Sequence, residues 1–501
     1  TGDASDQFPG DRACDTGNTI TRALGTTEPE CTLRAAIEEI NALKEAFAIH
    51  FDIPSLFDFG CDAQTGVCTI APQAALPELE TPMTIDGYTQ PGARANTVAV
   101  TESEKPGLDT ELQIVLDGTN AGSTSGLVVK ADGVMIRGLA IGHFKLHGIH
   151  ILGDILDPAS GVRIEGNFIG TDVTGATAAA NQLDGVRIEG GVANVIGGAG
   201  PAARNLISGN GLLESGGGIR ITSLSQSNQV VGNLIGTDKD GTSALPNAAY
   251  GVHIDGKNTG GNEIRDNLIS GNGGSVNVGT TCIGAAVKVN DGAWENTFTD
   301  NFVGVDGSGN AALGNKAGFC LLEPGASNVL EDNVISANES KGVWVQNQTD
   351  ATGAVGDATR LSGNLIGLGF DPLQRIALPN KGHGIQIEGI RHAVVEDNTV
   401  GYNTGHGLFL TASAMHVADL ASVTGNAFFA NDNYGILITG ADSADVSKNS
   451  VGTDAVAGDQ PNGDGSIKVQ DSPGITLAMN VVVVNKGYGI AITGAKSTGV
   501  S

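Results

Sequence analysis

Gly185-Val186-Arg187-Ile188, followed by Asn205-Leu206-Ile207-Ser208, is the pair of segments whose reading decides the fold. The first segment returns as Gly251-Val252-His253-Ile254 and Gly384-Ile385-Gln386-Ile387. The second returns as Asn167-Phe168-Ile169-Gly170 and Asn333-Val334-Ile335-Ser336. The pattern runs from about residue 130 to the end of the sequence. Its period of roughly 22 to 38 residues is that of a solenoid, one supersecondary unit per repeat. Apolar residues alternate in Val186/Ile188, Val252/Ile254 and Ile385/Ile387, which describes short strands with one face inward. Parallel crossovers are overwhelmingly right-handed, so the expected fold is all-β, a right-handed parallel β-helix.

A length of 501 residues alone would suggest several domains. A solenoid instead grows by adding coils, so residues 128–501 are read as one run of repeats. Residues 1–127 are read as a disulfide-pinned cap with the first coils. The 75 glycines, with many Asn and Asp, imply frequent turns. Asn167, Asn205, Asn233, Asn267, Asn301, Asn333, Asn364, Asn398, Asn426, Asn449 and Asn480 fall at one position per coil. There their amides can bond along the axis as a ladder. A hydrophobic content of 40% without a long apolar run excludes a membrane-spanning helix and is too high for a disordered chain. The net charge of −28 argues against nonspecific binding to nucleic acid or anionic membrane, which needs a basic face.

Cys14, Cys31, Cys61, Cys68, Cys282 and Cys320 contain no Cys-x-x-Cys element and read as three disulfides, hence an oxidising compartment. Proximity in sequence would join Cys14 to Cys31, Cys61 to Cys68 and Cys282 to Cys320; spacing alone leaves other pairings open. From Cys31 a helical period begins, with Leu33, Ile37, Ile40 and Phe47 on one face, Thr32 as N-cap, and Glu38 and Glu39 on the wet face. This α-helical cap would cover the first coil against edge pairing.

Cys14 followed by Cys31-Thr32-Leu33-Arg34-Ala35-Ala36-Ile37-Glu38-Glu39 resembles the CSLREA-type N-terminal module of bacterial surface and secreted β-helix proteins. Thr84-Ile85-Asp86-Gly87-Tyr88-Thr89-Gln90-Pro91-Gly92 is similar to the Ile-Asp-Gly-x-Thr-Gln-Pro-Gly stretch that commonly follows it. The departures are Thr32 and Ala35, where Ser and Glu often stand, and Ile40-Asn41 in place of Ala-Asn. The resemblance implies architecture and export to the cell surface or medium. It brings no shared catalytic motif that maps onto this chain.

Ile169-Gly170-Thr171-Asp172, Ile235-Gly236-Thr237-Asp238, Val303-Gly304-Val305-Asp306 and Val451-Gly452-Thr453-Asp454 each open a longer loop, most of which close on an Asn such as Asn247 or Asn315. Aspartates at such points can bind Ca²⁺, the one cofactor the loops suggest. They also favour turns unaided, and no Asp-x-Asp-x-Asp cluster is present.

In Gly-Val-x-Ile-x both x residues point outward, on coils stacked about 4.8 Å apart. Those positions read His150, then Arg187 and Glu189, Arg220, His253 and Asp255, Lys288, Trp344 and Gln346, and Gln386 and Glu388. A polyuronate lyase would need such a stripe: a cation neutralises the carboxylate while Lys, Arg or His takes the proton. Arg187, Arg220, His253 and Lys288 fit those roles. A glycoside hydrolase would need two carboxylates about 5 to 9 Å apart, for which Glu189 and Asp255 are the candidates. His150, Trp344, Gln346, Gln386 and Glu388 would then line the substrate. The simpler reading is that a solvated sheet face carries polar cross-strand pairs. Aromatic residues make up only 4% of the chain, which disfavours a long sugar-stacking groove. Gly382-His383-Gly384 and Gly405-His406-Gly407 resemble the Gly-His-Gly of polygalacturonases, without that family's clustered aspartates or Arg-Ile-Lys.

Gly489-Ile490-Ala491-Ile492 reads as a strand close to the last residue, with no polar cap after it. This predicts a longer protein or self-association through an open coil. Two functions therefore stand: a structural or adhesive cell-surface β-helix, part of a fibre or multidomain protein, and a lyase or hydrolase of an acidic glycan. Polysaccharide or another cell-surface ligand is the expected partner in either case.

Overall fold

The expected helix is formed by Leu33–Leu43. Thr32 caps it, its hydroxyl oxygen accepting the Ala35 N–H at 3.1 Å. Lys44 closes it in the left-handed region, its N–H returning to the Ile40 carbonyl. Leu33, Ile37 and Ile40 are buried. Two details differ from the periodicity. Phe47 is 40% exposed and belongs to the following strand, Phe47–His50. Glu39 faces inward because its carboxylate accepts the backbone N–H groups of Gly10 and Arg12 in the turn laid over the helix. A computed structural model describes residues 1–21, 26–212, 216–274, 282–347, 358–371, 373–390, 392–412 and 421–501. The disulfides join Cys14 to Cys31, Cys61 to Cys68 and Cys282 to Cys320.

The described residues fall into two compact units. The first holds residues 1–100, 106–241 and 245–249; the second holds residues 101–105, 242–244 and 250–501. Each is a right-handed parallel β-helix with three strands per coil. In the first unit one coil runs through Val186–Glu189, Val195–Gly197 and Leu206–Ile207. Its strands pair in parallel with Ile219–Thr222, Gln229–Val231 and Leu234–Ile235 of the next coil. In the second unit Tyr250–Asp255, Glu263–Arg265 and Leu268–Ile269 pair in the same way with Ala285–Asn290, Thr297–Thr299 and Phe302–Val303. We call the sheets sheet 1, sheet 2 and sheet 3 in that order. Inward residues such as Val186, Ile188, Ile196, Leu206 and Ile207 are fully buried, and stack on their equivalents one coil away.

The turns are held by asparagine ladders. The expected one, after sheet 2, runs Asn167–Asn205–Asn233 in the first unit. In the second it runs from Asn267 through Asn301, Asn333, Asn364, Asn398, Asn426 and Asn449 to Asn480. At Asn301 both the backbone N–H and the side-chain Nδ2 donate to Asn333 Oδ1 at 3.0 Å, and Nδ2 also donates to the Ile264 carbonyl at 2.8 Å. A second ladder, after sheet 3, includes the loop-closing Asn247 and Asn315. A third, before sheet 2, links Asn194 to Asn228, and Asn262 to Asn296 and Asn328.

The second ladder explains the glycine that opens most sheet 1 strands, with Ala286 and Ser466 in its place in two of them. A Cβ on Gly384 would lie 2.8 Å from Asn403 Nδ2 and 2.5 Å from a Val400 methyl, and one on Gly185 would lie 2.7 Å from Asn210 Nδ2. At these two glycines the backbone runs against the ladder amide, so a side chain has little room.

Replacing Asn333 by Ala strips buried backbone and amide groups of their partners, at about 1–3 kcal/mol for each group left unpaired. We expect a clear fall in the urea midpoint of Asn333→Ala. An unchanged midpoint would mean that the ladder does not hold the turns.

Candidate functional site

The outward face of sheet 1 carries three side-chain columns, two from within the strand and one from the residue just before its glycine. In the first unit the strand columns place His150 beside Arg187, Arg187 beside Arg220, and Glu189 beside Thr222. The column before the glycine adds His147 and Asp184. Five of these groups make one network. Arg187 Nε donates to Glu189 Oε2 at 3.0 Å, and His150 Nε2 lies 3.5 Å from the same oxygen. Arg187 Nη1 is 3.9 Å from Asp184 Oδ2, and His147 Nδ1 is 3.3 Å from it. Asp184 Oδ1 accepts the Gly217 N–H at 3.0 Å. His147 Nδ1 also accepts the Asp184 backbone N–H at 3.2 Å, a bond that requires its lone pair and competes with any donation to the carboxylate.

Burial, with the nearby His147 and Arg187, pushes the His150 imidazole down to about 4, against a weaker upward pull from Glu189. Burial alone would raise the Glu189 carboxyl, but Arg187 and His150 outweigh it and hold it below the usual range. The cluster at neutral pH is thus a neutral His150 ring beside a paired carboxylate and guanidinium.

In the second unit His253 sits beside Lys288, and Asp255 beside Asn290. His253 and Asp255 are largely buried, 6% and 9% exposed. The His253 ring meets the Asn290 side-chain oxygen through Nε2 and lies 4.7 Å from the Tyr250 ring. The charged stripe is then interrupted. The next strand, Ala317–Leu322, sets Cys320 beside Lys288 and Leu322 beside Asn290. The Cys282–Cys320 disulfide packs there with Ala285, Ala317 and Trp344. Ala317–Leu322 is apolar throughout, so its alternation gave no hint that Cys320 and Leu322 face outward. Trp344 is itself buried, with Lys341 Nζ 3.4 Å above its ring. Gln386 is buried as well and donates to Glu388 at 3.3 Å.

The column before the glycine holds the residues that the strand pattern passed over: Lys341, His383, His406 and Tyr434. His383 Nδ1 accepts the His406 N–H at 3.0 Å, and His406 Nδ1 accepts the Tyr434 N–H at 3.1 Å. Each bond fixes the tautomer, leaving Nε2 with the proton. The two rings stack 4.9 Å apart at 7°, with Phe409 5.2 Å from one and 5.7 Å from the other. Burial lowers both imidazoles to about 4, helped by His406 and Lys341 at His383. At His406 Lys468 lowers and Asp464 partly offsets. The sequence signal was the Gly-His-Gly pair, whose first glycine is not what gives it meaning: the residue before the second one always faces this column.

The family model described as periplasmic copper-binding protein (NosD) matches residues 236–371, 297–418 and 372–500, together more than half of the chain. The chain belongs to the NosD family. No curated protein matches it. Among solved structures, the A-module of Azotobacter vinelandii mannuronan C-5 epimerase AlgE4 is similar at 14% identity, covering 88% of this chain and 92% of that one, with a TM-score of 0.40. The Streptococcus pneumoniae surface protein and adhesin PfbA is similar at 11% identity, over 85% and 90%, with a TM-score of 0.40. The Dettilon tailspike protein is similar at 11% identity, over 94% and 66%, with a TM-score of 0.37. These likenesses concern the fold.

Copper, which the NosD description implies, needs convergent imidazole or sulfur ligands. All six cysteines are in disulfides. The lone pairs of the stacked His383 and His406 rings run parallel rather than towards one point, and each Nδ1 is already engaged. Among the described residues no three His, Cys, Asp or Glu side chains come together to hold a metal. These residues do not fit copper. The loop aspartates considered for Ca²⁺ are used by their own turns: Asp306 accepts Ser308, Asn310 and Ala311, and Asp454 accepts Val456, Ala457 and both arms of Arg375. No described helix is long and apolar enough to cross a membrane.

The depressed histidines make stability depend on acid. Folded His383 and His406 stay neutral down to about 4, while unfolded histidine protonates around 6.5. Protons therefore bind the unfolded chain first, so this stability is complete above pH 6.5 and is lost as the pH falls towards 4. In histidine proton NMR three rings, those of His150, His383 and His406, should titrate near 4. A His383→Gln/His406→Gln double variant should lose less stability between pH 6.5 and 4 than the parent.

Proposed function

We propose that the chain is a structural and adhesive protein of the bacterial cell envelope, exported from the cytoplasm, whose outward sheet 1 face recognises a polysaccharide or other cell-surface ligand. Export is supported by three disulfides, by the periplasmic description of the NosD family and by the resemblance of the Cys31–Glu39 segment to CSLREA-type modules. A coil closed by asparagine ladders suits a surface that keeps its outward side chains in fixed register.

The observation that carries this reading is the pairing within the His147–His150–Asp184–Arg187–Glu189 network. A glycosidase acid needs a carboxyl raised towards neutrality; Glu189 is shifted the other way by Arg187. A lyase base near neutral pH needs an imidazole of suitable basicity; burial has made His150 a weak one. A pre-paired, rigid polar surface serves recognition better than proton transfer. The second reading, cleavage of an acidic glycan, draws on one feature: the Arg187 guanidinium lies in the same cluster as two imidazoles.

Incubation with polyuronates, sulfated glycans and neutral glycans, with and without Ca²⁺, separates the two. We expect retention of a glycan with no unsaturated products and no new reducing ends. Cleavage lost in Arg220→Ala or Lys288→Ala would replace the adhesive reading by the catalytic one.

A further inference from the structure

The later coils of the second unit carry a face of different chemistry from the Arg187 cluster. Its centre is the stack of His383 and His406 against Phe409, extended by Tyr434, whose ring lies 5.9 Å from His406 at 28°. These groups belong to successive coils, since Gln386 pairs with Phe409 and Phe409 with Leu437. The scarcity of aromatics in the chain makes their gathering here informative: with only 4% aromatic residues, Trp344, Phe409 and Tyr434 share one sheet face within this unit.

The hydrogen-bonding groups are as specific. The backbone takes up Nδ1 of both histidines, so each offers an Nε2–H donor in a fixed direction. Glu388 supplies carboxylate acceptors on the neighbouring column. Beside them the Trp344 indole N–H, on a side chain 9% exposed, has no acceptor among the described residues, an unmet capacity that is rare in a folded protein.

Charge decides the ligand class. Lys341 lies over the Trp344 ring and Lys468 over the Tyr434 ring, 3.4 and 5.6 Å from the centroids. Glu388 acts on Lys341, and Asp464 on His406, from the same strip. Two ammonium groups are thus balanced by two carboxylates, with the imidazoles between them neutral. A polyanion finds no net attraction in such a strip. Aromatic faces, fixed N–H donors and carboxylate acceptors together match a pyranose, with its C–H face and its vicinal hydroxyls.

We propose that the strip formed by His383, His406, Phe409 and Tyr434, with Glu388 at its edge, is a binding site for a neutral glycan. The proposal rests on the adhesive reading above and supplies its ligand. The ring faces take the apolar face of the sugar, and the two Nε2–H groups and Glu388 take its hydroxyls.

Affinity electrophoresis of the full chain in gels containing a glucan, a mannan, a galactan or a polyuronate tests this. The expected result is retardation by at least one neutral polymer, little changed by added salt. It should weaken roughly tenfold in Phe409→Ala, about 1.4 kcal/mol, and return in Phe409→Tyr. His406→Gln should weaken it too, while Arg163→Ala, on sheet 2 of the first unit, leaves it as it was. Melting curves monitored by circular dichroism show that each variant is folded, and Tyr434→Ala provides an independent position should Phe409→Ala unfold. The proposal is overturned if no neutral polymer retards the parent chain, if Phe409→Ala and Tyr434→Ala bind as the parent does, or if only the polyuronate binds. Cleavage of the polymer, with binding still weakened in these variants, would instead overturn the adhesive reading and leave the strip as a subsite.

Discussion

Everything in this chain depends on one bond, the asparagine amide that donates to the asparagine of the next coil. A parallel coil turns sharply between strands, and its turn exposes backbone N–H and carbonyl groups to the protein interior. Each ladder residue satisfies two of them: its Oδ1 receives the backbone N–H of the asparagine before it, and its Nδ2 reaches a buried carbonyl. The bond requires an asparagine at the turn and places no demand on the residues between. In the second ladder the separation is 43 residues from Asn272 to Asn315, 23 from Asn315 to Asn338 and 42 from Asn338 to Asn380. The side-chain distances are nevertheless 2.9, 3.1 and 2.9 Å. Loops of very different length are therefore accommodated without disturbing the coil.

The same ladder shapes the exposed face. Its amides press against the backbone ahead of sheet 1 and favour glycine there, with Ala286 and Ser466 as the small exceptions. The residue before that glycine then overhangs the next coil, where a histidine ring can accept a backbone N–H. His147, His383 and His406 all do so, with different consequences. The first stands among ionised groups and joins an ion network. The other two stand among rings and become a neutral stack. Scaffold and outward face are linked here, because the ladder that favours glycine also sets the position beside it.

This explains how much could be read in advance. Alternation in Val186/Ile188 and the recurrent asparagines exposed the coil, because inward residues obey a strict pattern. The cap helix was legible from Thr32 and the spacing of Leu33, Ile37 and Ile40. Glu39 was misplaced because nothing local announces that the turn at Gly10 and Arg12 folds over it. The outward face was legible only in part. Arg187, Glu189 and His150 were found by their strand positions, but Asp184 and His147, which complete the network, lie outside the strand motif. Cys320 was hidden in an apolar strand, so the stripe looked continuous through a point where a disulfide interrupts it. Phe409 carries no charge, so a stripe read from charge passes over the point where the rings converge.

In a repeat protein, polarity on the outer face is weak evidence of function, because solvent alone requires it and ion pairs such as Arg187–Glu189 also stabilise neighbouring strands. The informative residues are those the scaffold has no use for. Sheet pairing does not need a half-exposed Phe409 or a Tyr434 on the solvent side, and water would favour a polar residue at both. Nor does it need the indole N–H of Trp344 to be buried without an acceptor among the described residues. Such positions cost stability unless something outside the chain covers them, and Trp344, Phe409 and Tyr434 lie on one face of sheet 1. That coincidence, more than any motif, is why the strip is assigned to a ligand, while Asp184, Arg187 and Glu189 in the first unit already meet one another.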